Sequence, residues 1–205
     1  ADALANANLR IKPGTSENAG IVMGICNGSC ESGHMNSVFT TPDFAADINS
    51  FSNITANSTA GWVANALSLK GVNMTLSPGH HAGLQSLSYA FDLLTERRAK
   101  AIVAAAADEV YPQTFYNYDL IGFLYSDQKE SDYHLIPDEP RRKVIGEGSA
   151  ALVLETLESV KERGVPVLAE VLGYGMSMDL DGFENQCLGK DGLVRAIEIA
   201  LKRSG

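Results

Sequence analysis

The chain has no excess of basic residues, no long apolar run and little cysteine. Its 16 Lys and Arg are outnumbered by 25 Asp and Glu, giving a formal net charge of −9. That balance opposes nucleic acid as a partner, because affinity for a phosphate backbone is assembled from clustered cations. It leaves an acidic carrier protein open, since docking depends on local patches. Two such patches are visible, Arg97-Arg98 with Lys100 and Arg141-Arg142-Lys143; most clusters of this kind are solvated faces. No apolar run reaches the roughly 20 residues of a membrane span, and no basic-then-apolar leader opens the sequence. Three cysteines make an odd count without framework spacing, as expected of a reducing, cytoplasmic compartment. Cys26, Cys30 and His34 recur at intervals of four, which on a helix would make one face. The segment ICNGSCESGH is rich in turn formers, however, and nothing nearby supplies a fourth ligand. No metal and no cofactor is expected.

What is present is an ordinary α/β composition. Hydrophobic residues make up 45% and charged residues 20% of 205, enough to bury a sizeable core. Hydrophobic period predicts a helix over Ala1–Leu9, a buried strand over Ile21–Ile25, and a helix from Pro42 to about Ile48. Further helices are expected over Ser58–Leu69 and His81–Arg98, the second with Leu84, Leu87, Ala90, Phe91 and Leu94 on one stripe. Ala101–Ala107 is alanine-rich, but its length and flanks suggest a buried strand packed closely by helices. Residues 126–143 read as a long polar loop. A strand over Ser149–Glu155, a short helix to Arg163, a strand over Val167–Met178 and a helix over Asp191–Arg203 complete the pattern. Strands alternating with helices imply a sheet covered on both faces.

One segment carries more information than the rest. In NMTLSPGHHAG (Asn73–Gly83) a strand-like run breaks at Pro78-Gly79 and a long amphipathic helix opens. A side chain on such a strand-to-helix turn is exposed and faces the positive end of the helix, a place where enzymes seat a nucleophile. Here the turn holds His80, with neither Ser nor Cys at that point.

These residues resemble the nucleophile region of the β-ketoacyl-acyl carrier protein synthases, the thiolase-fold condensing enzymes of fatty acid and polyketide synthesis. Leu69–Asn73 matches the family's Leu-x-Gly-Pro-Asn approach with Val72 in place of its proline, Ser77 its serine and Gly83 its trailing glycine, while the family's cysteine falls on His80. Phe51-Ser52-Asn53 through Asn57 and Ala60-Gly61 is similar to a helix entry of the family. Ala101–Glu109 is similar to the strand that follows the nucleophile helix. Gly146-Glu147-Gly148, continuing through SAALVLETLESVKERG, matches almost letter for letter.

The resemblance implies a thiolase-like αβαβα layered sandwich, with this chain aligned to most of its N-terminal half and the start of its C-terminal half. A partial N-terminal-type domain would occupy 1–165, and the second half would begin over 166–205. The family's two active-site histidines would fall beyond residue 205. His34 and His134 have no matching flanks. The resemblance further implies an acyl carrier protein as partner, and a homodimer, or a heterodimer with a complete ketosynthase, formed through the strand Asn73–Ser77. An imidazole at position 80 can be a filler, a neutral donor to a bound carbonyl or enolate, or a nucleophile. Acyl-imidazoles hydrolyse readily, which suits the last role poorly. The expected function is therefore that of a synthase-like protein without its own condensing activity, as in chain-length factors that lack the cysteine. The alternatives are a synthase-like decarboxylase or acyltransferase whose other catalytic residues lie outside this chain, and a non-catalytic acyl-binding module. Whether the chain is itself an enzyme stays open at this point. The Ala106-Ala107 pair and IPDEPRRKVI (Ile136–Ile145) depart from the family's glycine pair and from its box before Gly146.

Overall fold

A computed structural model describes residues 1–26, 55–122, 124, 144–178 and 190–205. The expected helix at Pro42, the loop over 126–143, Cys30, His34, His134 and the cluster Arg141–Lys143 lie outside the described residues. The chain divides into two compact units, residues 1–111 with 147–167, and 112–146 with 168–205.

The first unit is built on one four-stranded sheet, in the order β2-β1-β3-β4. Its strands are β1 (Ala19–Gly24), β2 (Asn73–Leu76), β3 (Ala101–Asp108) and β4 (Gly148–Glu155). β1 pairs in parallel with both β2 and β3, and β4 runs antiparallel to β3. The alanine run of β3 is a strand, buried over its first five residues. Helix propensity loses here because both faces of this central strand are covered, and burial outweighs the intrinsic preference of alanine.

The side chains of β1 alternate between two cores. On one face Ile21 and Met23 pack with Val103, Ala105, Ala60 and Ala64. The two outer alanines belong to α2 (Ser58–Leu67), and Leu4 of α1 (Asp2–Asn6) joins the same cluster. On the other face Val22 packs with Ile102 and Ala104 against Ala90, Leu93 and Leu94 of α3 (Ala82–Thr95). The unit is thus helix, sheet, helix, the arrangement expected of a mostly parallel sheet. Helix ends follow local chemistry. Ser68, in the left-handed region at φ 57°, stops α2 two residues before the expected end at Leu69. The Thr156 hydroxyl accepts from the Ser159 N–H to open α5 (Leu157–Arg163), which follows α4 (Pro112–Leu120) in chain order.

The second unit contains α4, whose Pro112 sits in the first turn where its missing N–H costs nothing, and α6 (Lys190–Ser204). The strand expected over Val167–Met178 is not observed; the segment has no regular structure. A strand exists through its ladder, and among the described residues none lies beside this one. Instead α6 takes its backbone: Arg195 donates to the Met178 carbonyl at 2.8 Å and Arg203 to that of Tyr174 at 3.4 Å. No described helix is long and apolar enough to cross a membrane.

Candidate functional site

The three parallel strands of the first unit end on the same side, and the chemistry-bearing residues collect there. This is where a parallel sheet presents its loops, just past the carboxyl ends of its strands. β1 ends at Gly24, and Ile25 and Cys26 carry the chain outward. β2 ends at Leu76 and leads through Pro78-Gly79 to His80, His81 and α3. β3 ends at Asp108.

Small residues bring these ends into contact. A Cβ built on Gly24 would overlap the backbone carbonyl of Ala82, so the end of β1 lies directly against the first turn of α3. Across the same turn, a Cβ on Gly83 would sit 3.1 Å from that of Ala106. Gly79, at φ +100°, makes the reversal between β2 and α3 in a conformation that side chains rarely adopt. The Ala82 N–H then donates to the Gly79 carbonyl at 3.0 Å, and Gln85 to His81 at 3.0 Å. His81 is the N-cap and offers no side-chain cap to the helix. Ser86, almost fully buried, donates to the Gly83 carbonyl at 2.8 Å and locks the first turn.

His80 is exposed on the turn, immediately before the helix, as the sequence placed it; His81 is exposed as well. His80 has a thiol beside it. The Sγ of Cys26 lies 3.4 Å from its Nδ1, within reach of a sulfur hydrogen bond. The thiol donates to an unprotonated Nδ1, or a thiolate accepts from Nδ1–H; these are the two ends of one proton transfer. Cys26 is half-buried. Its backbone N–H donates to both carboxylate oxygens of Asp108, at 2.9 and 3.1 Å, which pins the end of β1 to the end of β3. On the far side of β3, the Val110 N–H donates to Glu147 at 3.2 Å and holds the residue before β4 at the same rim.

The sequence raised Cys26 only as a metal ligand, a reading it did not favour, and did not single out Asp108. A signal for them existed. Each lies at or within two residues of the end of an apolar run readable as a parallel strand, and such positions converge in a sheet of this kind. The basic cluster at Arg97, Arg98 and Lys100 follows α3, at the opposite end of that helix from His80. Arg98 there faces Glu96 at 3.8 Å on the surface.

Comparisons with known proteins show the family and the fold. Residues 1–159 match the family model of the β-ketoacyl synthase N-terminal domain. A protein of Streptomyces cyaneus, described provisionally as polyketide β-ketoacyl synthase 1, is 33% identical over 145 residues, covering 68% of this chain and 34% of its own length. The 3-oxoacyl-[acyl-carrier-protein] synthase 2 of Synechocystis is 31% identical over 153 residues, covering 73% of this chain and 37% of its own length. Among solved structures, a β-ketoacyl synthase from Burkholderia phymatum superposes with a TM-score of 0.82 at 25% identity, over 98% of this chain and 50% of that one. The ishigamide ketosynthase/chain length factor gives 0.70 at 25% identity, over 93% of this chain and 48% of the other. The chain therefore spans about a third of the length of these curated relatives and about half of these solved chains.

Proposed function

We propose, from the fact that this chain belongs to the β-ketoacyl synthase family, that it is a ketosynthase-like protein of fatty acid or polyketide synthesis without condensing activity of its own. The observation that carries the proposal is the imidazole of His80 on the strand-to-helix turn where the resemblance seats the family's cysteine. Carbon–carbon bond formation needs an acyl thioester held beside a developing carbanion, with proton partners and donors aimed at the oxyanion. Among the described residues, only His80 and His81 supply imidazoles at this rim.

We place the boundary between the two halves of the sandwich at 165/166 and assign an acyl carrier protein as partner. The Synechocystis relative, whose name includes that carrier, supports the assignment. The likeness to a ketosynthase/chain length factor supports pairing with a second, cysteine-bearing ketosynthase, and a cytoplasmic setting follows from the same role. The second reading, acyl transfer without condensation, draws support from the thiol of Cys26 beside His80.

The test is incubation of the protein with malonyl- and acyl-carrier protein, with β-ketoacyl product read by mass spectrometry. No product is expected from the protein, nor from a His80→Cys variant, which restores the thiol without proton partners. A β-ketoacyl product from the unaltered protein would overturn the proposal.

A further inference from the structure

We propose that Cys26 and His80 form a thiol–imidazole pair that accepts an acyl group from a pantetheine-type thioester, with the acyl chain carried on Cys26. The inference rests on the reading above for its substrate class and adds the residue that bears the acyl group. The geometry supplies the nucleophile, its base and a fixed separation between them. The nucleophile and its base lie within hydrogen-bond reach, at 3.4 Å. The nucleophile is held from behind, because Asp108 grips the Cys26 N–H with both oxygens. The base is held by the turn at Gly79 and by the direct seating of Gly24 on Ala82, which fixes the distance between the two elements. The pair stands at the carboxyl ends of parallel strands, where ligands of such sheets bind.

The step balances. Nδ1 of His80 takes the proton from Sγ of Cys26. The thiolate attacks the carbonyl carbon of the thioester, and the new C–S bond forms as the bond to the pantetheine sulfur breaks. The departing pantetheine thiolate takes the proton back from the imidazolium, leaving S-acyl-Cys26, free pantetheine thiol and neutral His80. One thioester replaces another, so no oxidant, reductant or energy source is needed. The acyl group ends on sulfur, where it is far more durable than on imidazole. This also gives His80 a use that neither filler nor nucleophile would: it is the base for a thiol that arrives from β1 instead of from the turn. Asp108 is a positioning residue, acting through the Cys26 backbone.

The experiment incubates the purified protein with hexanoyl-S-pantetheine and maps the adduct by peptide mass spectrometry before and after hydroxylamine. A hydroxylamine-labile hexanoyl group on Cys26 is expected, absent in Cys26→Ser. His80→Gln should slow its formation at least tenfold, and slow alkylation of Cys26 by iodoacetamide at pH 7 to a similar degree. His80→Asn serves as the second variant, since its amide occupies the place of Nδ1 but takes no proton. His80 is exposed, so both variants should keep the circular dichroism and melting midpoint of the parent. An adduct on His80, no adduct on Cys26, or acylation and alkylation rates unmoved by either variant would overturn the proposal. Detection of a β-ketoacyl product bears only on the preceding reading, so the two fail separately.

Discussion

Arg163 shows how much one side chain can fix in the first unit. α1 has five residues, too few to hold a helix by its own hydrogen bonds. The Arg163 guanidinium reaches its C-terminal end and donates to the carbonyls of Ala7 and Asn8, both at 2.7 Å. A cation there also meets the negative end of the helix. The same group donates to Glu155 at 3.0 Å; that carboxylate is only 5% exposed and also accepts from the Ser159 hydroxyl at 3.0 Å. Arg163→Ala would leave a buried carboxylate without its cation and two carbonyls without donors. A loss of about 2–4 kcal/mol is expected, read as a lower midpoint in urea with an unchanged slope. A change within 0.5 kcal/mol would mean that water replaces the guanidinium at no cost. In the sequence Arg163 reads as an ordinary basic residue in the last turn of a short helix. Glu155 is eight positions away, but the carbonyls of Asn8 and Ala7 lie 155 and 156 positions away, beyond the reach of any local pattern.

At the scale of the element, the strands and helices of the first unit were legible because one rule governs them. Runs that cover both faces of a sheet are short, apolar and flanked by turn formers, as Ile21–Ile25 and Ala101–Ala107 are. The strand expected over Val167–Met178 failed because apolar content alone does not make a strand; a neighbour does. Helix α4 has little sequence signal, because its PQTFYNYDL has no apolar stripe and only Pro112 marks its start. His80 was legible from the break in pattern at Pro78-Gly79. Cys26 was not, because its meaning depends on how closely two elements approach, and that distance is set by a glycine. Gly24→Ala tests the point. The added methyl would strike the Ala82 carbonyl and Gly83 backbone, atoms that cannot rotate away. Overpacking of this kind costs about 1–3 kcal/mol, occasionally more. The expected outcome is a lower melting midpoint together with slower alkylation of Cys26, since α3 must move away from β1 and take His80 with it. Unchanged alkylation in a destabilised variant would show that the pair does not depend on that seating.

At the scale of the molecule, the described sheet ends on β2. Among the described residues β2 is its outermost strand, bonded to β1 alone, and its NMTL sequence carries no charge that would discourage further pairing. Thr75 in its middle has a buried hydroxyl oxygen with no hydrogen-bond partner in the described structure. An edge strand of this kind can pair further, and the family resemblance implies the same strand of a second subunit as its partner, so that one sheet would continue through both. A dimer is therefore expected, with itself or with a complete ketosynthase, burying more than roughly 2,000 Å² as obligate interfaces do. Thr75→Lys places a cation that would meet its own copy, or the apolar centre of the partner's edge, on association. The variant should raise the dimer dissociation constant at least a hundredfold, about 2.7 kcal/mol, while its circular dichroism stays that of the parent. Light scattering across a dilution series measures both proteins. A parent protein that is a well-folded monomer at micromolar concentration, or a Thr75→Lys variant that dimerises as tightly as the parent, would place the interface somewhere other than β2.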